Sequence, residues 1–251
     1  MIQIHPLGSI PEVRPSDDLA RLLADAIEAA AIVPGSFDVL AVTQKIVSKA
    51  EGRFVDLATV RPGPEAMRLA GLTRKDPRLV ELILAESSHV IRAVPHILIT
   101  RHRSGHAMAN AGIDQSNIGP GSGERVLLLP VDSDASAERL RQTFATLWPT
   151  PPAVLIMDSF GRPWRHGVTC VALGASGLPS LVDRRGECDR DGRTLEVTQI
   201  AVADMVATAA GLVTGEGAEG MPAALVRGLH WTAASQPASA LIRPVEQDLF
   251  R

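Results

Sequence analysis

The sequence predicts an α+β fold with mixed, largely antiparallel sheets and packed helices. Strand-like and helix-like segments do not alternate regularly, as they would in a doubly wound parallel sheet. Val90–Val94 and Ile97–Arg101 are apolar runs on either side of Pro95 and indicate a pair of antiparallel strands. Asp76–Ser87 has apolar residues at helical spacing and indicates a helix that can cover such a sheet.

The predicted strands are short apolar runs bounded by glycine, proline or polar residues. In chain order they are Ile2–His5, Phe37–Thr43, Val90–Val94, Ile97–Arg101, Arg125–Pro130, Ala153–Met157, Val168–Ala175 and Ala223–Gly228. After the first strand, Gly8, Pro11 and Pro15 predict that Pro6 to Ser16 is a loop.

The predicted helices follow from apolar residues three and four positions apart. They are a helix capped by Asp17 and running to about Ala31, then Pro64–Ala70, Asp76–Ser87, Ser133–Leu147 and Thr194–Val213. The last is expected to be the longest, and the charged segment before it, Asp183 to Arg193, is expected to be a loop.

Length and composition define the class of protein. A chain of 251 residues with 45% apolar and 21% charged residues is typical of a globular protein with a full core. We expect one unit over residues 1–251. Two closely packed subdomains, divided at the proline-rich segment 149–152, are the alternative.

Charge and pattern argue against several partners. A formal net charge of −3 creates no field that attracts nucleic acid or an anionic membrane, and 3% aromatic residues offer little surface for stacking bases. The N-terminus lacks a signal-peptide pattern, and no apolar run approaches the length of a membrane span. We therefore expect a cytoplasmic protein without a nucleic-acid or membrane partner. Cys170 is expected in the core and Cys188 in the charged loop, with no disulfide or zinc pattern.

The stretch 109–117 is the first candidate for a binding site. Asp114 and Asn117 lie three residues apart on a turn that continues into the glycine-rich run Gly119–Gly123. Their oxygens can face one small space, and Mg²⁺ and Mn²⁺ prefer oxygen ligands. An ordinary turn is the alternative, because Asp and Asn side chains bond to nearby backbone.

A second candidate follows the strand Ala153–Met157. Asp158 and Ser159 come directly after this strand, in the kind of loop where sites are commonly built. Arg162 and Arg165 add cationic groups suited to phosphate or carboxylate. A surface loop with solvated charges is the alternative.

A third candidate follows the last predicted helix. Glu216 lies between Gly215 and Gly217, with Gly220 beyond, and glycines allow backbone to approach a bound group closely. The composition resembles a phosphate-binding loop, although the spacing is neither that of a Walker A loop nor that of a dinucleotide fingerprint.

Cationic side chains accompany these turns. Gln44, Lys45 and Lys49 come after the strand Phe37–Thr43, and the lysines could neutralise phosphate charge. Solvated lysines on a helix are the alternative. His102 and His106 could bind a metal ion, but a solvated hairpin tip is the preferred interpretation.

Together these segments resemble the F420-0:gamma-glutamyl ligase family, also known as coenzyme F420:L-glutamate ligases. The resemblance runs from about Ile2 to about Leu229 and depends on the order and spacing of several segments. They are Ile10–Val13 with Asp17–Leu19, Gln44–Arg53, Asn110–Asn117, Asp158–Arg162, Asp191–Val197 and Thr214–Pro222.

The resemblance implies an activity and an assembly. The family uses GTP to add L-glutamate to the coenzyme F420 precursor, F420-0, with Mn²⁺ or Mg²⁺ at two sites and K⁺ assisting. The products are GDP, phosphate and gamma-glutamyl-extended F420. Because a carboxylate needs activation before an amine attacks it, we expect an acyl-phosphate intermediate. The resemblance also implies a gamma-glutamyl ligase-like fold and an intertwined homodimer, without the flavin domain that some relatives carry after this unit.

The resemblance also implies roles for particular residues. The metal-binding positions are Asp114, Asp158, Ser159 and Glu216. The nucleotide-binding positions are Ile10, Pro11, Glu12, Val13, Gln44, Lys45, Lys49, Asn117, Thr214, Gly215, Glu216, Gly217, Ala218, Glu219, Gly220 and Met221. The catalytic set is expected to be Asp114, Asp158, Glu216 and Lys49.

The chain departs from the family pattern at two places. It has Gln44-Lys45 where the family often has Ser-Thr, and Ser159 where the family often has Thr. Two other functions stay open, a metal-dependent nucleotide phosphohydrolase and a GTP-binding module without turnover. Only a ligase would need glutamate to form its product.

Overall fold

The computed structural model describes residues 1–119 and 124–248. The strands are β1 (Gln3–Leu7), β2 (Val39–Thr43), β3 (Phe54–Asp56), β4 (Ser87–Val94), β5 (Ile97–His102), β6 (Ala107–Ala109), β7 (Arg125–Leu127), β8 (Ala153–Arg162), β9 (Arg165–Ser176), β10 (Leu181–Asp183), β11 (Gln199–Ala201) and β12 (Ala223–Arg227). The helices are α1 (Leu19–Ala29), α2 (Gln44–Ala50), α3 (Pro64–Thr73), α4 (Pro77–Ala85), α5 (Ser133–Leu147) and α6 (Val202–Thr214). Most of the glycine-rich run predicted after Asn117 lies outside the described residues.

A five-stranded sheet in the order β1-β12-β2-β8-β9 forms the centre of the molecule. β2 and β8 are parallel, and the other neighbours in this sheet are antiparallel. Smaller antiparallel sheets pair β4-β5-β6, β3-β7 and β10-β11. The predicted α+β class with largely antiparallel sheets is therefore confirmed.

Helices cover both faces of the central sheet. Successive residues of a strand point to opposite faces, so Leu40 and Val42 of β2 pack with α1 and α5. Val39 and Ala41 face the other way and pack with α6. This double burial explains why β2 and the first half of β8, Ala153–Met157, are nearly continuous apolar runs. A separate apolar cluster lies among α3, α4 and the smaller sheets.

Several predicted elements are confirmed. The helix Ser133–Leu147 has the predicted bounds, and the predicted pair across Pro95 forms β4 and β5. The first helix is shorter than predicted and is capped by Asp18, whereas Asp17 accepts a hydrogen bond from the Arg14 N–H. Whether the chain divides near 149–152 stays a prediction.

Two boundaries were wrong because strand pairing overrides the local pattern. β8 does not end at Met157 but continues to Arg162, since β9 pairs with it along this length. Asp158 and Ser159 therefore lie within a hairpin strand, not in a loop. Similarly, Pro6 belongs to β1, which is an edge strand where proline is tolerated.

The helix predicted over Thr194–Val213 was also wrong at its start. α6 begins at Val202 and has 13 residues, against 15 in α5, so it is not the longest helix. Gln199–Ala201 instead pairs with Leu181–Asp183. The helical spacing of Val197 was coincidental, because this residue is 84% exposed.

Gly174 of β9 packs directly against the first residue of α5, Ser133. A Cβ atom at Gly174 would lie 2.1 Å from the carbonyl oxygen of Ser133, which is backbone and cannot move aside. We predict that Gly174→Ala lowers the free energy of unfolding by about 2 kcal/mol or more, because overpacking forces backbone shifts.

Gly71 provides the matched control for this prediction, measured by urea denaturation. It lies in α3 with nothing within 4 Å of a built Cβ. Gly71→Ala should raise the unfolding free energy by about 0.5–1 kcal/mol through helix propensity. Equal effects of the two substitutions would contradict the packing argument.

Candidate active site

A cleft of about 730 Å³ opens at the edge of the central sheet where β2 and β8 end. Its lining comes from distant parts of the chain. The lining residues are Ile10, Pro11, Glu12, Val13, Thr43, Lys45, Ile46, Lys49, Asp114, Gln115, Ser116, Asn117, Ile118, Gly119, Met157, Asp158, Ser159, Cys170, Thr214, Gly215, Glu216, Gly217, Ala218, Glu219, Gly220, Met221 and Pro222.

α2 brings two lysines into this cleft. The helix starts directly after β2 and has only 7 residues, so its stability comes from packing rather than from propensity. Lys45 and Lys49 are four residues apart and lie on one side of the helix. Lys49 is buried, which excludes the alternative of a solvated lysine, and its Nζ donates a hydrogen bond to Glu12 Oε1 at 2.6 Å.

Asp114 is held by backbone and side-chain contacts. Its N–H and carbonyl group pair with Leu127, each at 2.9 Å. Gln44 Nε2 donates to Asp114 Oδ2 at 2.7 Å, and Lys45 Nζ lies 3.4 Å from Oδ1 and donates to the Ser116 carbonyl. Burial raises the pKa of Asp114, while Lys45 and the Gln44 hydrogen bond lower it in part.

Asp158 carries the largest pKa shift among the carboxylates of the cleft. Burial raises its pKa to about 7, with further contributions from the negative charges of Asp114 and Glu216. The Ser159 N–H and the charge of Lys45 oppose this rise. Asp114 and Glu216 are therefore close enough to Asp158 for their negative charges to disfavour its ionised form.

The glycine loop after α6 forms the opposite wall. Gly215 has φ of 70° and follows the buried Thr214. The Gly217 N–H donates to Glu219 Oε2 at 2.7 Å, and Asn117 Nδ2 donates to the Gly217 carbonyl at 3.1 Å. The Asn117 bond joins two loops that are 100 residues apart in sequence.

Cys170 is buried, as predicted, but it also lines the cleft. Its Sγ lies 3.8 Å from Glu216 Oε1. Burial raises the pKa of the thiol to about 12, together with the charges of Glu216 and Asp158. No sequence pattern pointed to this position, because only the pairing of Ser159 with Cys170 brings it to the cleft.

Nearly all of the predicted site residues lie in this one cleft. Gln44 is the exception, since it is buried behind Asp114 and contacts it from within the protein. Gln115, Ser116 and Gly119 were missed, although their adjacency to Asp114 and Asn117 could have pointed to them.

Two pairs of candidate residues do not lie where the sequence interpretation placed them. Arg162 and Arg165 are exposed at the turn of the β8–β9 hairpin and do not line the cleft. His102 and His106 are buried rather than solvated, and Ser104 Oγ lies 2.8 Å from Nδ1 of each. Sequence alone could not reveal this burial, because it results from packing of the small sheet against the β8–β9 hairpin, where His106 contacts Phe160.

The oxygen atoms of the cleft fit a hard cation that also has ligands from outside the protein. Asp114, Asp158, Ser159 and Glu216 supply oxygen atoms, which suits Mg²⁺ or Mn²⁺. Within residues 1–119 and 124–248, no three His, Cys, Asp or Glu side chains are close enough to hold an ion by themselves. A bound ion would therefore need ligands from a substrate or from water.

The charges in the cleft do not balance. The described lining includes five carboxylates, Glu12, Asp114, Asp158, Glu216 and Glu219, and two lysines, Lys45 and Lys49. An excess of three acidic groups would disfavour an anionic ligand unless added cations compensate for their charge.

None of the helices in residues 1–119 and 124–248 combines the length and the apolar character that a membrane span requires.

Comparisons with known proteins find similarity over the part of the chain that forms the cleft. Residues 8–228 match the family described as F420-0:Gamma-glutamyl ligase. The chain is 44% identical to the coenzyme F420:L-glutamate ligase of Methanopyrus kandleri over 254 residues, which is 100% of this chain and 98% of that protein. For the ligase of the same name from Methanothermobacter thermautotrophicus, the identity is 42% over 252 residues, with 100% and 99% covered. For that from Natronomonas pharaonis it is 43% over 252 residues, with 98% and 93% covered.

The raised pKa of Asp158 predicts how the stability of the metal-free protein depends on pH. In the unfolded chain an Asp has a pKa of about 3.9. In the folded chain the pKa of Asp158 is about 7. At a pH between these two values, the folded chain therefore holds a proton that the unfolded chain has lost. The unfolding free energy should therefore fall as the pH rises through this window.

Asp158→Asn removes this titration while it keeps the shape of the side chain. In the presence of a chelator, the unfolding free energy of the variant should exceed that of the wild type by a margin that grows by about 2–3 kcal/mol between about pH 5 and about pH 8. Asp183→Asn serves as the control, because Arg185 lowers the pKa of Asp183 and its loss should bring no gain at the higher pH. Parallel curves for wild type and Asp158→Asn, measured by urea denaturation, would contradict the assignment.

Proposed function

The chain belongs to the F420-0:gamma-glutamyl ligase family, and we propose that it uses GTP to join L-glutamate to the coenzyme F420 precursor, F420-0. Family membership makes it a ligase of coenzyme F420 biosynthesis. The observation that supports the proposed mechanism is the single cleft in which Asp114, Asp158 and Glu216 face Lys45 and Lys49.

The donors of the cleft suit a nucleoside triphosphate. Lys45 and Lys49 offer ammonium groups for phosphate oxygens, and the glycine loop offers backbone N–H groups at close range. Thr214 Oγ1 is buried in the cleft wall and has no hydrogen-bond partner among the described residues. A ligand would supply this missing partner, since a buried unpaired hydroxyl is unfavourable.

The proposed cations are two Mn²⁺ or Mg²⁺ ions held by Asp114, Asp158, Ser159 and Glu216, with K⁺ as a monovalent addition. When bound, they would neutralise phosphate charge and offset the three excess negative groups of the cleft. The oxygen-only character of the proposed protein ligands supports these metals over zinc.

The reaction proposed for this site has two steps. The precursor carboxylate attacks the γ-phosphorus of GTP, the bond between the β- and γ-phosphates breaks, and GDP leaves. The glutamate amine then attacks the acyl carbon of the resulting acyl phosphate, and phosphate leaves as the amine loses a proton. Lys45 and Lys49 would hold the phosphates in line, because this chemistry depends on positioning and charge more than on a protein nucleophile.

The oxygen atoms of the precursor carboxylate test this path. We predict that precursor labelled with ¹⁸O in that carboxylate, incubated with GTP, Mn²⁺ and glutamate, yields labelled phosphate in step with amide formation. Mass spectrometry follows both products. The Asp158→Asn variant should lose both by more than about 100-fold while staying folded.

Other outcomes identify the alternative functions. Unlabelled phosphate released without glutamate would indicate a phosphohydrolase. GTP binding with no phosphate release at all would indicate a binding module without turnover. A wild-type rate for Asp158→Asn would remove Asp158 from the proposed metal ligands.

We also propose that the chain forms a homodimer through an apolar surface next to the cleft. On α6, Met205 and Leu212 are 63% and 82% exposed. Thr208, between them, contacts Thr169 of β9 at 3.1 Å, and the neighbouring Val168 is half-exposed. Exposed large apolar side chains on one helix face are typical of a protein interface.

Sedimentation should test this assembly at micromolar concentration. We predict a species of twice the chain mass for the wild type, and a shift toward monomer for Leu212→Glu, because a charge would be buried in the interface. Glu28, which is exposed on α1, offers a control as Glu28→Gln. A wild-type monomer at all concentrations would contradict the proposal.

A further inference from the structure

Two glutamates of the cleft accept hydrogen bonds from groups that could instead bind phosphate oxygens. Glu12 accepts from the ammonium group of Lys49 at 2.6 Å, and Glu219 accepts from the Gly217 N–H at 2.7 Å. An ammonium group and a backbone N–H in a glycine loop are both groups that bind phosphate oxygens in proteins. Within the described residues, neither donor has another protein acceptor.

The Lys49–Glu12 pair has one fixed and one movable partner. The Lys49 side chain is 5% exposed and belongs to the buried helix α2, so it cannot leave the cleft. The Glu12 side chain is 51% exposed and lies on a segment without regular secondary structure. A competing anion can therefore displace Glu12 into water, while Lys49 stays in place.

The Gly217–Glu219 contact has a similar arrangement. Glu219 is exposed, and its carboxyl group folds back over the loop. A Cβ at Gly215 would lie 2.3 Å from the carboxyl carbon of Glu219, so the loop admits the carboxylate only because Gly215 lacks a side chain. Asn117 fixes the Gly217 carbonyl from the other side of the cleft.

We propose that Glu12 and Glu219 stand in for phosphate oxygens in the nucleotide-free chain and must be displaced when nucleotide binds. This inference rests on the proposed function, in which the cleft binds nucleotide phosphates. The two carboxylates keep cationic and N–H donors paired in the empty cleft, and they compete directly with the ligand. They are positioning residues, because they act through Lys49 and the glycine loop and not on the reacting atoms.

A competing role and a purely structural role predict opposite changes in affinity. Removing the charge of a competitor weakens the contact in the empty cleft but leaves Lys49 or the Gly217 N–H free for phosphate. Ligand affinity should then rise while the stability of the empty protein stays level or falls slightly. If the glutamates only support the cleft wall, affinity and stability should fall together.

The experiment uses the full chain and isothermal titration calorimetry with two probes, inorganic tripolyphosphate and GTP, at fixed Mg²⁺ and ionic strength. We expect Glu12→Gln and Glu219→Gln each to bind both probes about fivefold more tightly than the wild type, as suits a partly exposed charged contact. Glu196→Gln changes the net charge equally at an exposed position outside the cleft and should leave affinity unchanged. Thermal melts without ligand measure stability in parallel.

A crystal structure with tripolyphosphate provides the direct readout. We expect Lys49 Nζ to contact a phosphate oxygen, with Glu12 turned toward solvent. The inference would be overturned if both variants bind the probes no more tightly than the wild type, or if the Lys49–Glu12 pair is intact in the complex. Binding of the probes by the wild type would still support the proposed function in that case. Failure of every protein to bind either probe would contradict the proposed function itself, and this inference with it.

Discussion

The parallel pairing of β2 with β8 is the constraint on which the rest of the cleft depends. Parallel strands end at the same edge of a sheet, and here Thr43 pairs with Met157. The helix with both lysines begins directly after Thr43, and Asp158 follows Met157. Backbone hydrogen bonds therefore bring the cations and a carboxylate to the same edge of the sheet.

The remaining walls reach the same edge by antiparallel pairing. β12 runs opposite to β2, so the glycine loop before it arrives beside the end of β2, where the Thr43 N–H donates to the Pro222 carbonyl at 2.9 Å. Asp114 comes from another direction, through its backbone pairing with Leu127 next to the smaller sheets. The cleft thus joins segments that no local sequence pattern connects.

This arrangement concentrates negative charge, which is unfavourable in an empty protein. Burial, and then repulsion from Asp114, raise the pKa of Asp158, and Lys45 compensates only in part. Perturbed carboxylates of this kind are common where proteins bind cations or carry out chemistry, because the charge that destabilises the empty site attracts the ligand. The contact between Lys49 and Glu12 also offsets charge in the cleft, since it pairs a buried cation that would otherwise lack a partner among residues 1–119 and 124–248.

The sequence by itself determined the fold class, the bounds of the helix Ser133–Leu147, and most of the residues that line the cleft. Periodicity and composition act locally, and the order of the segments carries the family resemblance. Only the tertiary structure decided that Asp158 lies within a hairpin strand, that His102 and His106 are buried, and that Cys170 lines the cleft. These features depend on pairing and packing between segments distant in sequence, which override local propensity and leave no periodic signal in either segment alone.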